Sequence, residues 1–326
     1  MYMTDLKFSL WADFIERDYL DGEFKELIAN GIVNGATSNP AIFKNAILNS
    51  PAYKEQLLSL NGMSSKEKYE ALAIYDIKKA ASILKPLYDA NNDGFVSIEV
   101  DPFLSQDAQG TIDEGKRLFE EIGYANVMIK VPATDAGYIA MEELIASNIP
   151  VNATLIFKKE QALKCAEAFQ RGMQRGGKKV QSVISVFVSR IDRALDTELK
   201  KAGVGVALCG IYNSANIYAT IQDMKVDACR VLFASTGVKD DSLKPYYYVD
   251  KLLAYNSVNT APIETIKAFD KDAQKIKELP ISKNIIDAHF LKVKDAGIDF
   301  EATLDKQIED GLKAFEDAFN DILESL

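Results

Sequence analysis

Short apolar segments alternate with longer amphipathic ones along this chain. That alternation limits the possible folds more than any other feature. Eight segments read as strands: SLWADF (9–14), IVNGATSN (32–39), FVSIEV (95–100), VMIKV (127–131), PVNATLI (150–156), SVISVFV (182–188), VLFAS (231–235) and SVNTA (257–261). Between them lie helical stretches such as 66–90, 111–123, 158–172 and 214–224. Strands separated by helices pair in parallel, because each helix carries the chain back to the same end of the sheet. Eight such units predict an α/β fold, a single closed (β/α)8 TIM barrel; an open doubly wound sheet is the other arrangement able to hold them. No Pro/Gly/Ser-rich linker, low-complexity tract or internal repeat interrupts the chain. The expectation is therefore one domain over 1–326 with additional helices. The last of these is the C-terminal segment TLDKQIEDGLKAFEDAFNDILESL, in which Leu304, Ile308, Leu312, Phe315, Phe319, Ile322 and Leu326 form one apolar stripe. Packing on the barrel is the expected use of that stripe, and a dimer contact is the alternative.

Several function classes drop out early. The net charge is −10 over 326 residues, which argues against a general nucleic-acid or anionic-membrane surface. No window approaches 18 uninterrupted apolar residues, and the opening MYMTDLKFSLWADF lacks a basic segment followed by a long apolar one. A cytoplasmic protein, monomer or homodimer, is expected. Cys165, Cys209 and Cys229 lie far apart with no CxxC spacing, so neither a disulfide framework nor a zinc site is expected. The one histidine, His289, falls in a late helical stretch and reads as a packing or surface residue. A Ser-His-Asp mechanism has no material here.

Strand periodicity then singles out a few side chains. Successive residues of a strand point to opposite faces. In VMIKV, Val127, Ile129 and Val131 share one face, and Met128 and Lys130 the other. In FVSIEV, Ser97 and Glu99 oppose Val96, Ile98 and Val100. In SLWADF, Trp11 and Asp13 oppose Leu10, Ala12 and Phe14. In PVNATL, Asn152 and Thr154 oppose Val151, Ala153 and Leu155. In SVISVFV, Val183, Ser185 and Phe187 oppose Ile184, Val186 and Val188. In a barrel the aliphatic faces meet the helices. Lys130, Glu99, Asp13, Asn152, Thr154 and Ser185 then converge inside, toward the C-terminal ends where barrel active sites sit.

Each of these residues also has a bland reading. A strand lysine can be an edge residue, a buried carboxylate a structural hydrogen-bonding group, and Ser, Thr or Asn a helix cap. Convergence on one mouth favours chemistry. Burial disfavours the charged form of an amine, and a free amine attacks a carbonyl to form a Schiff base. Glu99 and Asp13 suit proton transfer. Arg190 follows the sixth strand, and Ser235 and Lys239 follow the seventh, where barrels often hold phosphate. Periodicity predicts a lysine-dependent barrel enzyme acting on a polar carbonyl compound, phosphorylated or not, and does not identify the reaction.

Particular segments add a resemblance. NGATSNPAIF (34–43) and VMIKVPATDAGYIAMEEL (127–144) resemble the two signatures of the transaldolase family, the second carrying the Schiff-base lysine. VSIEVDPFLS, VNATLIF, SVFVSRID and LFASTGVKD resemble further transaldolase segments in the same order, and the last two are similar to the longer bacterial branch. The resemblance runs from about Trp11 to Ala261. It implies a class I aldolase barrel that transfers a dihydroxyacetone unit between sugar phosphates in the non-oxidative pentose phosphate pathway and needs no metal or organic cofactor. Lys130 matches the Schiff-base lysine. Asp13 matches the aspartate that takes the donor's C4 hydroxyl proton. Glu99 and Thr154 match the pair that positions a water. Asn39 and Asn152 match residues holding the dihydroxyacetone unit, Ser185 one contacting its terminal hydroxyl, and Arg190 the phosphate-binding arginine. Ser235 and Lys239 are assigned to phosphate although the motif departs there from the Ser-x-Arg form of other branches. Thr37 reads as support for a turn. Fructose 6-phosphate aldolases are similar but shorter, with Gln where this chain has Glu99 and Tyr where it has Phe187. Those two residues favour transfer over release of free dihydroxyacetone.

Overall fold

The computed structural model describes residues 1–326, and its sheet closes on itself. The strands are β1 (Tyr2–Met3), β2 (Phe8–Ala12), β3 (Gly35–Thr37), β4 (Phe95–Glu99), β5 (Val127–Pro132), β6 (Val151–Ile156), β7 (Ser182–Phe187), β8 (Cys229–Ala234) and β9 (Ser257–Ala261). β2 to β9 lie parallel in chain order, and β9 pairs back onto β2, from Ser9 opposite Val258 to Ala12 opposite Ala261. That last pairing decides between a barrel and an open sheet: this is a (β/α)8 barrel. Periodicity missed β1, which runs antiparallel to β2; two residues carry no period.

The aliphatic faces point where the alternation puts them. Val96, Ile98, Val127, Ile129, Val131, Ile184 and Val186 join the large apolar layer between barrel and helices. Trp11, Phe95, Met128, Val183, Leu232 and Val258 belong to a separate interior cluster. Leu155 corrects the expectation. It does not face the helices with Val151 and Ala153 but joins the interior cluster with Phe157 and Phe187. Its φ is 58°, and the β6–β7 register shifts between Ala153 and Ile156. A bulge of this kind turns the strand over at its end, and a strict period of two cannot anticipate it.

The N-terminal end of the barrel is stoppered. Asp93 accepts from the indole Nε1 of Trp11 at 2.7 Å and takes both terminal nitrogens of Arg230 at 2.8 and 3.1 Å. Gly35 has no substitute here, since a Cβ would stand 2.6 Å from the Trp11 indole. Sealing this end leaves the opposite end as the one that can be open.

The C-terminal helix Phe300–Ser325 lies across that opposite end. Asp299 caps it by accepting from Ala302 N–H at 3.0 Å. It packs against the helices Pro40–Asn49, Ser65–Asp89 and Ser189–Lys201 and against β6. Leu304, Phe315, Phe319 and Ile322 are buried in these contacts, so the stripe packs on the barrel. Lys158 pairs with Asp305 at 2.6 Å. No helix is long and apolar enough to cross a membrane.

Candidate active site

Register brings the polar residues together before any side-chain detail is considered. Glu99 pairs with Lys130 across β4–β5, and Lys130 with Asn152 across β5–β6. Paired residues of parallel strands project to the same face, so the three form one row on the inner wall. Thr154 is opposite Pro132 one layer higher. Asp13 directly follows β2, and its N–H donates to Ala261 O at 2.9 Å. Lys130, Asn152, Thr154 and Asp13 line a cavity of about 240 Å³ at the C-terminal mouth.

Lys130 is 5 % exposed. Its Nζ donates to Ser38 O at 3.1 Å and lies 3.4 Å from Glu99 Oε2. The Ser38 carbonyl is fixed because the Ser38 hydroxyl donates to Ser97 O at 2.8 Å. A rigid acceptor therefore aims the amine. The ring of Phe315 sits 5.5 Å from Nζ on the other side.

The two carboxyl groups differ. Thr37 Oγ1 donates to Asp13 Oδ1 at 2.7 Å and is also 2.7 Å from Thr260 Oγ1. Enclosure raises the Asp13 pKa above the usual carboxylate range, opposed by the Lys130 charge and then by the Thr37 hydrogen bond. Glu99 is pushed up to about 7 by burial, again opposed by Lys130. Near neutrality it is thus both a usable acid and a usable base. Glu99 Oε2 and Thr154 Oγ1 are buried without hydrogen-bond partners. Glu99 does not line this cavity; it pairs with Lys130 and faces a second, water-sized space beside Tyr69, Asp101 and Glu114.

Polar side chains line the walls. Ser185 Oγ donates to Asn152 Oδ1 at 2.6 Å, and Asn152 Nδ2 donates to Ser97 Oγ at 3.2 Å. Asn39 caps the helix Pro40–Asn49, with Oδ1 accepting from Ile42 N–H at 3.0 Å and Pro40 in the first turn. The bland and functional readings of Asn39 therefore coexist, because its Nδ2 stays available. Arg190 lines the rim with its guanidinium 5.0 Å from the Phe187 ring centroid. It makes no ion pair, and burial followed by the neighbouring Arg193 charge lowers its pKa. Ser235 stands across from it at φ 56°, its Oγ 3.2 Å from Ser189 Oγ. An unpaired guanidinium beside hydroxyl groups is the chemistry of a phosphate or carboxylate site.

The structure thus brings together Lys130, Asp13, Glu99, Thr154, Asn39, Asn152, Ser185, Arg190 and Ser235. Lys239 is not among them: it is exposed and absent from the cavity wall. Sequence reasoning missed three contributors. Thr37 holds Asp13 rather than only supporting a turn, and Thr260 completes that contact. Phe315 comes from a helix far along the chain, and no period within one element could have placed it over Lys130. His289 lies outside the cavity, with Nε2 3.3 Å from Cys209 Sγ and its ring edge-on to Tyr212.

Comparison with known proteins agrees with this geometry. Residues 10–326 match the family described as Transaldolase/Fructose-6-phosphate aldolase. A protein named Transaldolase from Campylobacter jejuni subsp. jejuni serotype O:23/36 (strain 81-176) is 46% identical over 330 residues, covering 98% of this chain and 99% of that protein. A Transaldolase from Helicobacter pylori (strain Shi470) is 42% identical over 320 residues, covering 98% of this chain and 99% of its own.

Proposed function

The chain belongs to the transaldolase/fructose-6-phosphate aldolase family, and on that premise we propose that it works as a transaldolase through a Schiff base on Lys130. The reaction moves a dihydroxyacetone unit from sedoheptulose 7-phosphate to glyceraldehyde 3-phosphate. It gives erythrose 4-phosphate and fructose 6-phosphate, reversibly, in the non-oxidative pentose phosphate pathway. We place the enzyme in the cytoplasm as a monomer or homodimer, with sugar phosphates as its partners and no nucleic-acid or membrane partner.

In this reading the Lys130 amine adds to the donor's C2 carbonyl, and loss of water gives the imine. A water held by Glu99 and Thr154 carries the protons for that dehydration; the unpartnered oxygens of both residues support this role. Asp13 then takes the C4 hydroxyl proton while the C3–C4 bond breaks. Thr37 occupies Asp13 Oδ1, which leaves Oδ2 for that proton. The aldose phosphate departs, and the electron pair at C3 is delocalised into the iminium. An acceptor aldehyde enters, C3 attacks its carbonyl, Asp13 returns the proton, and water then opens the product imine, freeing the new ketose phosphate and the Lys130 amine. Asn152 and the Nδ2 of Asn39 hold the three-carbon unit, and Ser185 contacts its terminal hydroxyl. Arg190 and Ser235 hold the phosphate, and Lys239 adds long-range attraction from the surface.

The observation that carries the reading is the row of Glu99, Lys130 and Asn152, with the Lys130 amine held at the base of a polar cavity. A coupled assay with fructose 6-phosphate, run with and without erythrose 4-phosphate, tests it. Transfer with little free dihydroxyacetone supports a transaldolase. Robust release without acceptor supports a fructose 6-phosphate aldolase-like enzyme instead.

A further inference from the structure

We propose that Phe315, on the C-terminal helix, decides whether the three-carbon unit held on Lys130 is transferred or lost to water. The inference rests on the Schiff-base reading above and adds a specificity-determining residue to it. Most of the cavity wall comes from strand ends and from the first turns of the helix Pro40–Asn49. The C-terminal helix contributes only Ala314 and Phe315. Phe315 is 5 % exposed, and its ring centroid is 5.5 Å from Lys130 Nζ. It belongs to the same apolar cluster as Leu155, Phe157 and Phe187. The amine thus has polar partners on one side and an aromatic wall on the side the helix covers.

The seating of that wall is built into the helix. Gly311 lies one turn before Phe315, where a Cβ would stand 3.1 Å from Leu155 Cδ2 and 3.7 Å from Arg190 Nη1. The missing side chain lets the helix lie low over the mouth. Leu155 reaches that contact only through the bulge that turns it inward.

Loss to water takes two steps after the aldose has left. C3 must accept a proton, and a water must then add to the imine carbon, breaking the C–N bond. The products are free dihydroxyacetone and the lysine amine. Water also opens the imine of the transferred product, so the first step alone separates loss from transfer; it needs a proton donor beside Lys130, where Phe315 stands. Phe315 therefore lowers the loss rate by occupying the approach of a proton donor to C3.

The test measures the ratio of dihydroxyacetone release to transfer for wild type, Phe315→Ala and Phe315→Leu. Borohydride trapping with fructose 6-phosphate is run on each. Phe315→Ala, which opens that approach, is expected to raise the ratio at least about fivefold, with the adduct still on Lys130. Phe315→Leu, which refills the space, is expected to reverse most of that rise. Gly311→Val, which lifts the helix without altering Phe315, is expected to raise the ratio in the same direction. A purely structural role would lower transfer and release together. An unchanged ratio in Phe315→Ala, with the adduct trapped on Lys130, overturns the role of Phe315 and leaves the Schiff-base reading standing. Failure to trap any adduct on Lys130 of the wild type overturns both.

Discussion

Asp13 lines the cavity, Glu99 faces a separate small space, and the two differ in what holds them. Asp13 has a hydroxyl donor on one oxygen, while Glu99 faces Lys130 at 3.4 Å and lacks a partner on the same oxygen. Thr37→Val is expected to lower kcat at least tenfold with little change in KM, because it frees Asp13 to rotate without touching substrate contacts. The lost hydrogen bond had lowered the Asp13 pKa, so the acid limb of the kcat profile moves to higher pH. An unchanged profile would show that Thr37 is only a packing residue. For Glu99 the sign runs the other way from a surface salt bridge. Its folded pKa, about 7, lies above the ordinary carboxylate value, so the native state keeps a proton that the unfolded chain has released. That contribution is present below the ordinary range and is lost as pH rises through about 7, to the extent of about 3 kcal/mol. Melting temperatures of wild type should fall between pH 5 and pH 8. Glu99→Gln should fall less, because it cannot ionise; equal slopes would contradict the assignment.

At the scale of elements, the closed end of the barrel depends on one buried charge cluster. Asp93 answers both Arg230 and the Trp11 indole. Asp93→Ala leaves a buried guanidinium without its partner and should cost about 3–5 kcal/mol in urea unfolding. A loss under 1 kcal/mol would mean that water replaces the carboxylate. The elements also show what the sequence made legible. Eight strands, and the inner faces of five of them, could be read because aliphatic residues repeat every second position, and the polar residues at the mouth are the gaps in that repeat. Leu155 was misread because a bulge breaks the period. Thr37 and Phe315 were misread for a different reason: their roles come from contacts between distant elements, which a pattern inside one element does not record. Asn39 was half legible, since a helix N-cap followed by proline explains it without any substrate.

At the scale of the whole molecule, a chain of net charge −10 must gather an anionic substrate. Arg190 is the cation at the cavity wall that no carboxylate neutralises. Arg190→Ala should raise KM for phosphorylated donors at least tenfold, since a charge-assisted hydrogen bond contributes about 1.5–3 kcal/mol. It should leave KM for unphosphorylated dihydroxyacetone nearly unchanged, and an equal loss for both would remove Arg190 from the phosphate site. The proposed chemistry as a whole turns on Lys130. Borohydride reduction in the presence of fructose 6-phosphate, followed by peptide mass mapping, tests that most directly. The predicted result is one dihydroxyacetone-derived adduct on Lys130, absent from a folded Lys130→Ala protein that has lost transfer. An adduct on another lysine, or none at all, would contradict it.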